Sequence, residues 1–450
     1  MPAAITNNFK KQIIQDLIND INDSDQSYFL AIGRSEPWND TDTPPTPTGS
    51  LRDIRNLQLS LQSIKNVEAL SFATRRVNWF SGTVYSAYDD AVAGLPNQNY
   101  FVLTNANRIY ICLKQGKNDQ GVAVASTVEP TSTGTQAFTL SDGYTWKFLF
   151  TITATNVNNL MSANYMPIRF LTSADSDIAF EVQQKAIQDA AIPGQITDIR
   201  LLTTGAGYTS VPTVSIIGNG TGASAVATID SDAGQVTKIE MANDSDAFGS
   251  GYDYAEVVVS GGGATANATA RAVLSTPLGI GGDPRDDLRA TAIVINAKPA
   301  GAEGGDFLVG QDFRQVALLK NPKLPDSDGA FVGITGLGLK RMKLSSVTTP
   351  FSADNVIVGG TSGARAFIDQ ADSDTIFFHQ TESTGFTRFN SGEALSESDG
   401  VGVGVIDNID SADSAGEFGL FSGDILYIDN RAAVERDPAQ TEDFKVVFQL

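Results

Sequence analysis

Any chemistry in this chain would rest on few side chains. Its 450 residues hold one cysteine, Cys112, and one histidine, His379. A nucleophile–imidazole–carboxylate relay, a zinc site or a proton shuttle would have to use that single ring. His379 lies in TIFFHQT, where alternation with Phe377 and Phe378 predicts an ordinary strand residue. Cys112, in RIYICLKQ, reads as a small buried apolar group, and alone it supports neither an intramolecular disulfide nor a thiolate metal cluster. Carboxylates are plentiful: with 52 acids, the paired carboxylates of a glycosidase could be drawn almost anywhere, so their presence discriminates nothing. Three tryptophans are few for lining a sugar cleft. Asp-Ser-Asp occurs six times, beginning at Asp23, Asp175, Asp230, Asp244, Asp326 and Asp372. Oxygen-rich loops can hold calcium, but none of the six continues into a full calcium loop. After Asp244, for instance, Phe248 occupies the fifth position. These are predicted turns, which Asp and Ser favour by bonding nearby amides. GNGTGA (218–223) and GIGGD (279–283) resemble phosphate-cradling loops, yet such loops need a strand before and a helix after. ASAVATI follows the first, and a proline soon follows the second. The residues predict no enzyme, no cofactor, no metal site and no small-molecule substrate.

The bulk properties exclude further classes. A formal charge of −21 with scattered acids argues against a nucleic-acid face, which needs clustered Lys and Arg. The most basic stretch, RNLQLSLQSIKNVEALSFATRR, carries only Arg55, Lys65, Arg75 and Arg76. MPAAITNNFKKQ has no signal-peptide core, and no run approaches the roughly 20 apolar residues of a membrane span, so no membrane is expected. A chain this long implies two to four domains, by the usual length of roughly 100–200 residues each.

Two segments read as helices. In ITNNFKKQIIQDLINDIND, Ile5, Phe9, Ile13, Leu17 and Ile21 recur every fourth residue, with Thr6 or Asn7 as cap. In SLRDIRNLQLSLQSIKNV, Ser50 precedes Leu51, Ile54, Leu57, Leu61 and Ile64, with Asp53 in the first turn. Residues 39–50, NDTDTPPTPTGS, form a proline-broken loop. After residue 75 nearly everything reads as strand and turn. Residues 190–277 are Gly-, Ala-, Thr- and Val-rich and contain a duplication. Gly194, Thr197 and Ile199 recur as Gly234, Thr237 and Ile239, and Gly205, Gly207 and Tyr208 recur as Gly249, Gly251 and Tyr252. Such a repeat predicts a small β unit that buries one copy against the other. VIVGGTSGARAFI, from Val356, echoes VSIIGNGTGASAV, so 345–410 is expected to hold a related small β module.

One more cluster demands a role: YFLAIGRSEPW, residues 28–38. Arg34 and Glu36, two apart in an extended chain, would share one side; Pro37 stiffens the exit and Trp38 offers a flat packing surface. The stretch reads as a buried structural corner first, a subunit contact second and an active-site rim last. GRSEPW is also the first of five stretches that together resemble the homodimeric baseplate wedge subunit of T-even-type contractile-tailed bacteriophages. The others are ATRRVNW, with Arg75, Arg76 and Trp79; EPTSTGTQAFTLSDGYTWKFLF, with Tyr144 and Trp146; DFRQVALLKNP; and SGDILYIDNR with the terminal QTEDFKVVFQL. The match covers about 5–170, 305–325 and 417–450.

The resemblance implies a mainly β, α+β architecture. An α/β layer domain built discontinuously from N- and C-terminal parts (1–80 with 281–344 and 411–450) would carry an inserted antiparallel β-barrel (81–189). The Gly-rich modules at 190–277 and 345–410 would be further inserts. It also implies a non-enzymatic virion protein of the phage tail, assembled in the host cytoplasm. Such a protein forms a homodimer and packs on other baseplate wedge proteins, linking hub to periphery. Arg34, Glu36, Pro37, Trp38, Arg75, Arg76, Trp79, Tyr144 and Trp146 are then the structural or interface candidates. The alternative is a tail-associated receptor- or glycan-binding module, in which Tyr208, Tyr252 and Tyr254 of the Gly-rich insert would line a shallow cleft.

Overall fold

A computed structural model describes residues 4–39, 41–242, 247–299, 312–407, 409, 416–435 and 442–450. The chain is mainly β, 39% strand against 12% helix, with several sheets, a few helices and a closed antiparallel barrel of six strands. It divides into two compact units: residues 1–15, 71–294 and 447–450, and residues 16–70 and 295–446.

In the first unit, strands Phe101–Leu103, Arg108–Lys114, Thr145–Thr151 and Phe138–Thr139 form a four-stranded sheet in that order. Its centre buries Trp146, Tyr144, Tyr110, Phe148 and Cys112. This is the region expected to be barrel-like, and it does not close. Its outer strands are two and three residues long, and helix Ala179–Asp189 packs against strand Thr145–Thr151. Edge strands this short offer too few ladder bonds to complete a cylinder.

The duplicated segment, also in the first unit, folds as one body in which the copies exchange partners. Strand Thr213–Gly218 pairs with its counterpart Ala255–Ser260, while Ile196–Thr203 pairs with Thr269–Leu274 and Ala225–Asp230 with Gln235–Met241. Opening and closing strands of opposite copies therefore meet, a local pseudo-twofold. Tyr208 and Tyr252, the repeated tyrosines, are 1% and 5% exposed and share a core with Ile199, Val236, Ile239 and Val257. Gly205 and Gly249 take φ of 64° and 63°, and a Cβ on either would meet backbone at 2.6 and 2.5 Å. Only glycine fits both demands.

The second unit contains a five-stranded sheet, in order Thr335–Leu337, Leu61–Asn66, Tyr28–Gly33, Phe313–Lys320 and Asp424–Val434. Early and late parts of the chain thus interleave in one sheet, over a core of Phe29, Leu57, Ile64, Phe331 and Phe418. The closed barrel follows at 340–406, overlapping most of the 345–410 segment expected to hold a small β module and starting five residues before it. Closure depends on strand Lys340–Thr349. Its first half pairs with Thr375–His379 and its second half with Val403–Ile406, so one bent strand joins both ends of the sheet.

Both helix expectations need adjustment. The first helix is Asn7–Ile21, with Thr6 accepting from Phe9 N at 3.4 Å, but Ile5, Phe9 and Ile13 are 65%, 56% and 40% exposed while Ile14 is buried. A strict four-residue repeat advances about 40° per step around a 3.6-residue helix, so the apolar stripe winds away from the packed face. The second helix ends early. Leu51–Leu59 is helical, capped by Ser50 accepting from Asp53 N, but Leu61–Asn66 is a strand. It pairs on both sides, with Tyr28–Gly33 and Thr335–Leu337, and that demand overrides the helical spacing of Leu61 and Ile64.

The described Asp-Ser-Asp segments lie in turns. Asp25 N donates to Asp23 Oδ1, Asp177 N to Asp175 Oδ1, and Asp232 N to Asp230 Oδ1. Asp326 has φ 51°, and Asp372 N bonds Thr375 O. The segment at Asp244 falls outside the described residues.

Candidate functional site

The GRSEPW corner grows directly out of the central sheet of the second unit. Strand Tyr28–Gly33 ends where a Cβ on Gly33 would meet Ser60 O at 2.7 Å, and Arg34 then turns with φ 60°. This left-handed residue removes the extended geometry that would have set Arg34 and Glu36 on one side. Arg34 instead folds back, its guanidinium 4.1 Å above the Trp38 ring and Nη2 donating to Pro37 O at 3.0 Å. Trp38 Nε1 donates to Arg431 O at 2.8 Å, and Trp38 N donates to Asp42 Oδ1 at 2.9 Å. Asp42 in turn holds Arg314 at 2.9 Å, and Arg314 donates to Ser35 O. The corner is therefore latched within its own unit. Pro37 is exposed and Glu36 half-buried, the latter accepting a long bond of 3.5 Å from Ser383 Oγ.

Beneath the corner, among the described residues, lies an arrangement that resembles catalytic machinery. Ser35 Oγ donates to Asp369 Oδ1 at 2.6 Å, and Asp369 Oδ2 lies 2.6 Å from His379 Nδ1. Asp369 and His379 are 1% and 3% exposed. They come from strands Arg365–Ala371 and Thr375–His379, whose neighbouring residues Ile368 and Phe378 point into the barrel core. The period of two sends Asp369 and His379 to the outer wall. Burial alone would lower the imidazole pKa, but the Asp369 carboxylate outweighs it and raises the value. The order is wrong for acyl transfer. In a triad the imidazole sits between hydroxyl and carboxylate, whereas here the carboxylate sits in the middle, so His379 cannot draw the proton from Ser35. His379 Nε2 is buried with no hydrogen-bond partner among the described residues.

The remaining sequence candidates lie in the first unit and serve its packing. Arg75 Nε donates to Pro96 O at 2.8 Å, and Arg76 bonds Asn78 Oδ1 at 2.9 Å and Ser162 O at 3.2 Å. Trp79 Nε1 reaches Ser126 Oγ at 3.2 Å. Tyr144 and Trp146 stack at 5.7 Å with Tyr85 edge-on to both, and both are fully buried, which removes them from any surface contact. Asp142, in the same SDGY turn, caps Thr127 N and Val128 N at 2.8 and 3.1 Å.

Two Gly-rich loops bind the chain's own carboxylates, while GNGTGA packs against the Tyr252 ring. In GIGGD, Gly281 N donates to Asp287 Oδ2 and Thr276 Oγ1 to Asp287 Oδ1, both at 2.7 Å. Burial pushes the Asp287 carboxyl up to about 7, despite those two donors. In the barrel, Glu393 accepts from Asn390 N, Thr361 N, Thr361 Oγ1, Ser362 N and Ser362 Oγ at 2.7–2.9 Å. Burial opposes its charge, but these donors win and hold the carboxyl down at about 2. Asp369, Asp287 and Glu393 carry no local sequence signal: Asp369 meets His379 10 residues on and Ser35 334 residues back, Asp287 meets Gly281 and Thr276 6 and 11 residues back, and Glu393 meets Ser362 and Thr361 31 and 32 residues back, spacings that belong to no motif. Among the described residues, no three potential ligands gather into a metal site, and no helix is long and apolar enough to cross a membrane. Of the three tyrosines suited to a sugar cleft, Tyr208 and Tyr252 are core residues and Tyr254 alone is exposed. No protein-family model matches this chain, and no curated protein does.

Proposed function

We propose that this chain is a structural subunit of a contractile phage tail baseplate, a homodimer that packs on other wedge proteins and helps join hub to periphery. Its five family-like stretches support the reading. So does the way its polar constellations close on the chain itself: Ser35–Asp369–His379 is ordered for latching, and amides of two glycine loops are taken by Asp287 and Glu393. The observation that carries it is the exposed apolar pair Phe9 and Ile13 on the first helix, continued by Ile5 just before it. A stripe spaced by four residues is the ridge that helices use to pack on one another, and a stable subunit interface needs such surface.

Sedimentation equilibrium of the purified chain tests the dimer. Two copies of 47.6 kDa give about 95 kDa, and the double variant Phe9→Glu, Ile13→Glu is expected to shift the mass to the monomer. A wild-type mass of one copy at micromolar concentration overturns the dimer. A cryo-EM map of intact tails tests the location, and a baseplate without this polypeptide overturns the assignment.

A further inference from the structure

The only histidine in the chain sits against a carboxylate that water does not reach. The side chains of His379 and Asp369 are 3% and 0% exposed, with 2.6 Å between Nδ1 and Oδ2. A carboxylate at that depth is costly without a counter-charge, and imidazole is the side chain that gains or loses one near neutrality. The same carboxylate accepts from Ser35 Oγ at 2.6 Å, so the charge on the ring bears on the GRSEPW corner.

The elements packed on the ring bring charges of both signs. Asp369 stands on one flanking strand, Arg365–Ala371, whose Arg365 is exposed. Lys340 and Arg341 begin the other flanking strand. Glu36 and Arg34 act on the ring from the corner, and Glu382, just past the strand of His379, is exposed and paired with Arg52. Burial and the cations oppose a charged ring. Asp369, the one charge in hydrogen-bond contact with it, outweighs them and Glu36 adds to its effect, so the proton is held more tightly than on a free histidine. Nε2 is buried without a partner among the described residues, so no bond there favours either form.

We infer that Ser35, Asp369 and His379 form a proton-operated latch: the charged ring fastens the GRSEPW corner to the barrel wall, and loss of its proton in alkaline solution loosens that junction. Without the proton, Asp369 keeps two neutral donors but loses its counter-charge in a buried site. Opening the junction returns the ring to water and to the ordinary histidine value of about 6.5. The latch is therefore at full strength below that value and weakens as pH rises through the higher folded value. For each unit between the two, the opening constant should rise about tenfold from the acid to the alkaline side. The inference takes nothing from the baseplate reading.

Carbon-13 labelling of histidine in the full chain gives one ring signal, because there is one histidine. Its folded titration midpoint is expected above the ~6.5 of a free histidine, and a midpoint at or below that value overturns the latch. Hydrogen exchange, corrected for the intrinsic pH dependence of each amide, reads the same event independently. Protection across 33–38 and 365–379 should fall about tenfold for each unit of the measured midpoint shift as pH rises through it. His379→Gln retains a donor for Asp369 without a titratable charge, so its step should vanish. Ser35→Ala should lower protection across 33–38 at every pH while the ring still titrates above ~6.5. A raised midpoint with flat protection, an equal step in His379→Gln, or unchanged corner protection in Ser35→Ala overturns the latch. Should His379→Gln fail to fold, the wild-type midpoint and Ser35→Ala still decide.

Discussion

The duplicated module and the closed barrel contain the same thirteen-residue pattern and stabilise it by different means. Ser215–Ala227 runs strand, glycine bend, the three-residue strand Thr221–Ala223, strand, and Val356–Ile368 runs strand, glycine turn, strand. Aligned on Gly222-Ala223 and Gly363-Ala364, the copies agree in detail. Gly222 and Gly363 are both left-handed, φ 84° and 67°, and Gly218 and Gly359 are both so crowded that a Cβ would meet oxygen at 2.3 and 2.4 Å. What fills the concave side differs. In the module it is the Tyr252 ring, within 2.4 Å of where a Gly220 side chain would begin. In the barrel it is the Glu393 carboxylate, which takes the amides of Thr361 and Ser362. A local pattern can thus specify a left-handed glycine without specifying its partner. The partner follows from topology. The open module brings an aromatic residue from the opposite copy, and the closed barrel brings a carboxylate from the neighbouring turn.

The comparison is broken most forcefully by removing each filler. Tyr252→Ala should destabilise the module by about 3–5 kcal/mol, the usual cost of emptying a buried aromatic site. Native-state hydrogen exchange should show protection lost across 196–274 and retained across 340–406. Loss in both segments together would mean that the two do not unfold as separate bodies. Glu393→Gln should cost less, about 1–3 kcal/mol, because an amide offers one acceptor where the carboxylate served five donors, leaving buried N–H and O–H groups unpaired. Its exchange pattern should be the reverse, with 340–406 affected and 196–274 spared.

Acid sharpens the same contrast. Glu393 is held at about 2, below the ordinary glutamate value of about 4.3. The unfolded chain therefore binds more protons than the folded one between those values. The carboxylate's contribution is complete above the ordinary value and is lost as pH falls through about 2. Barrel protection should decline over that window in the wild type and stay flat in Glu393→Gln. The Tyr252 ring fills its site by packing alone, so protection around it should show no matching step. An equal acid step in wild type and Glu393→Gln would assign the effect to other carboxylates.

These contrasts also mark what could be read along the chain. The Ser50 cap, the Asp-Ser-Asp turns and the duplication rest on contacts within a few residues or on repetition, and such signals survive in one dimension. Leu61–Asn66 was misleading because its helical spacing is genuine, while its two strand partners lie about 30 residues before and 270 after. Barrel closure was invisible for the same reason: it turns on the bend that lets Lys340–Thr349 pair with two different strands. Asp369 and His379 look unremarkable in sequence, and only the register of adjacent strands, with Phe367 opposite His379, sets the carboxylate beside the ring. The latch role of Ser35 in the GRSEPW corner depends on a residue 334 positions away.

The finest test compares the left-handed glycine that both segments contain, Gly222 and Gly363. Gly222→Ala and Gly363→Ala each force an L-residue into left-handed backbone, at about 1–2 kcal/mol. The space around both is adequate: the nearest atom to a Gly222 Cβ is Gly249 Cα at 3.5 Å, and around Gly363 nothing lies within 4 Å. Strain is therefore the whole cost, and since strain belongs to the local backbone, the two penalties should agree within a few tenths of a kcal/mol. Two-state denaturant curves, read segment by segment through exchange, would measure them. A clearly larger penalty at Gly222 would mean that the Tyr252 filler tightens the module turn beyond its backbone geometry. A larger one at Gly363 would mean that Glu393, by gripping adjacent amides, denies the barrel turn the small relaxation an alanine needs.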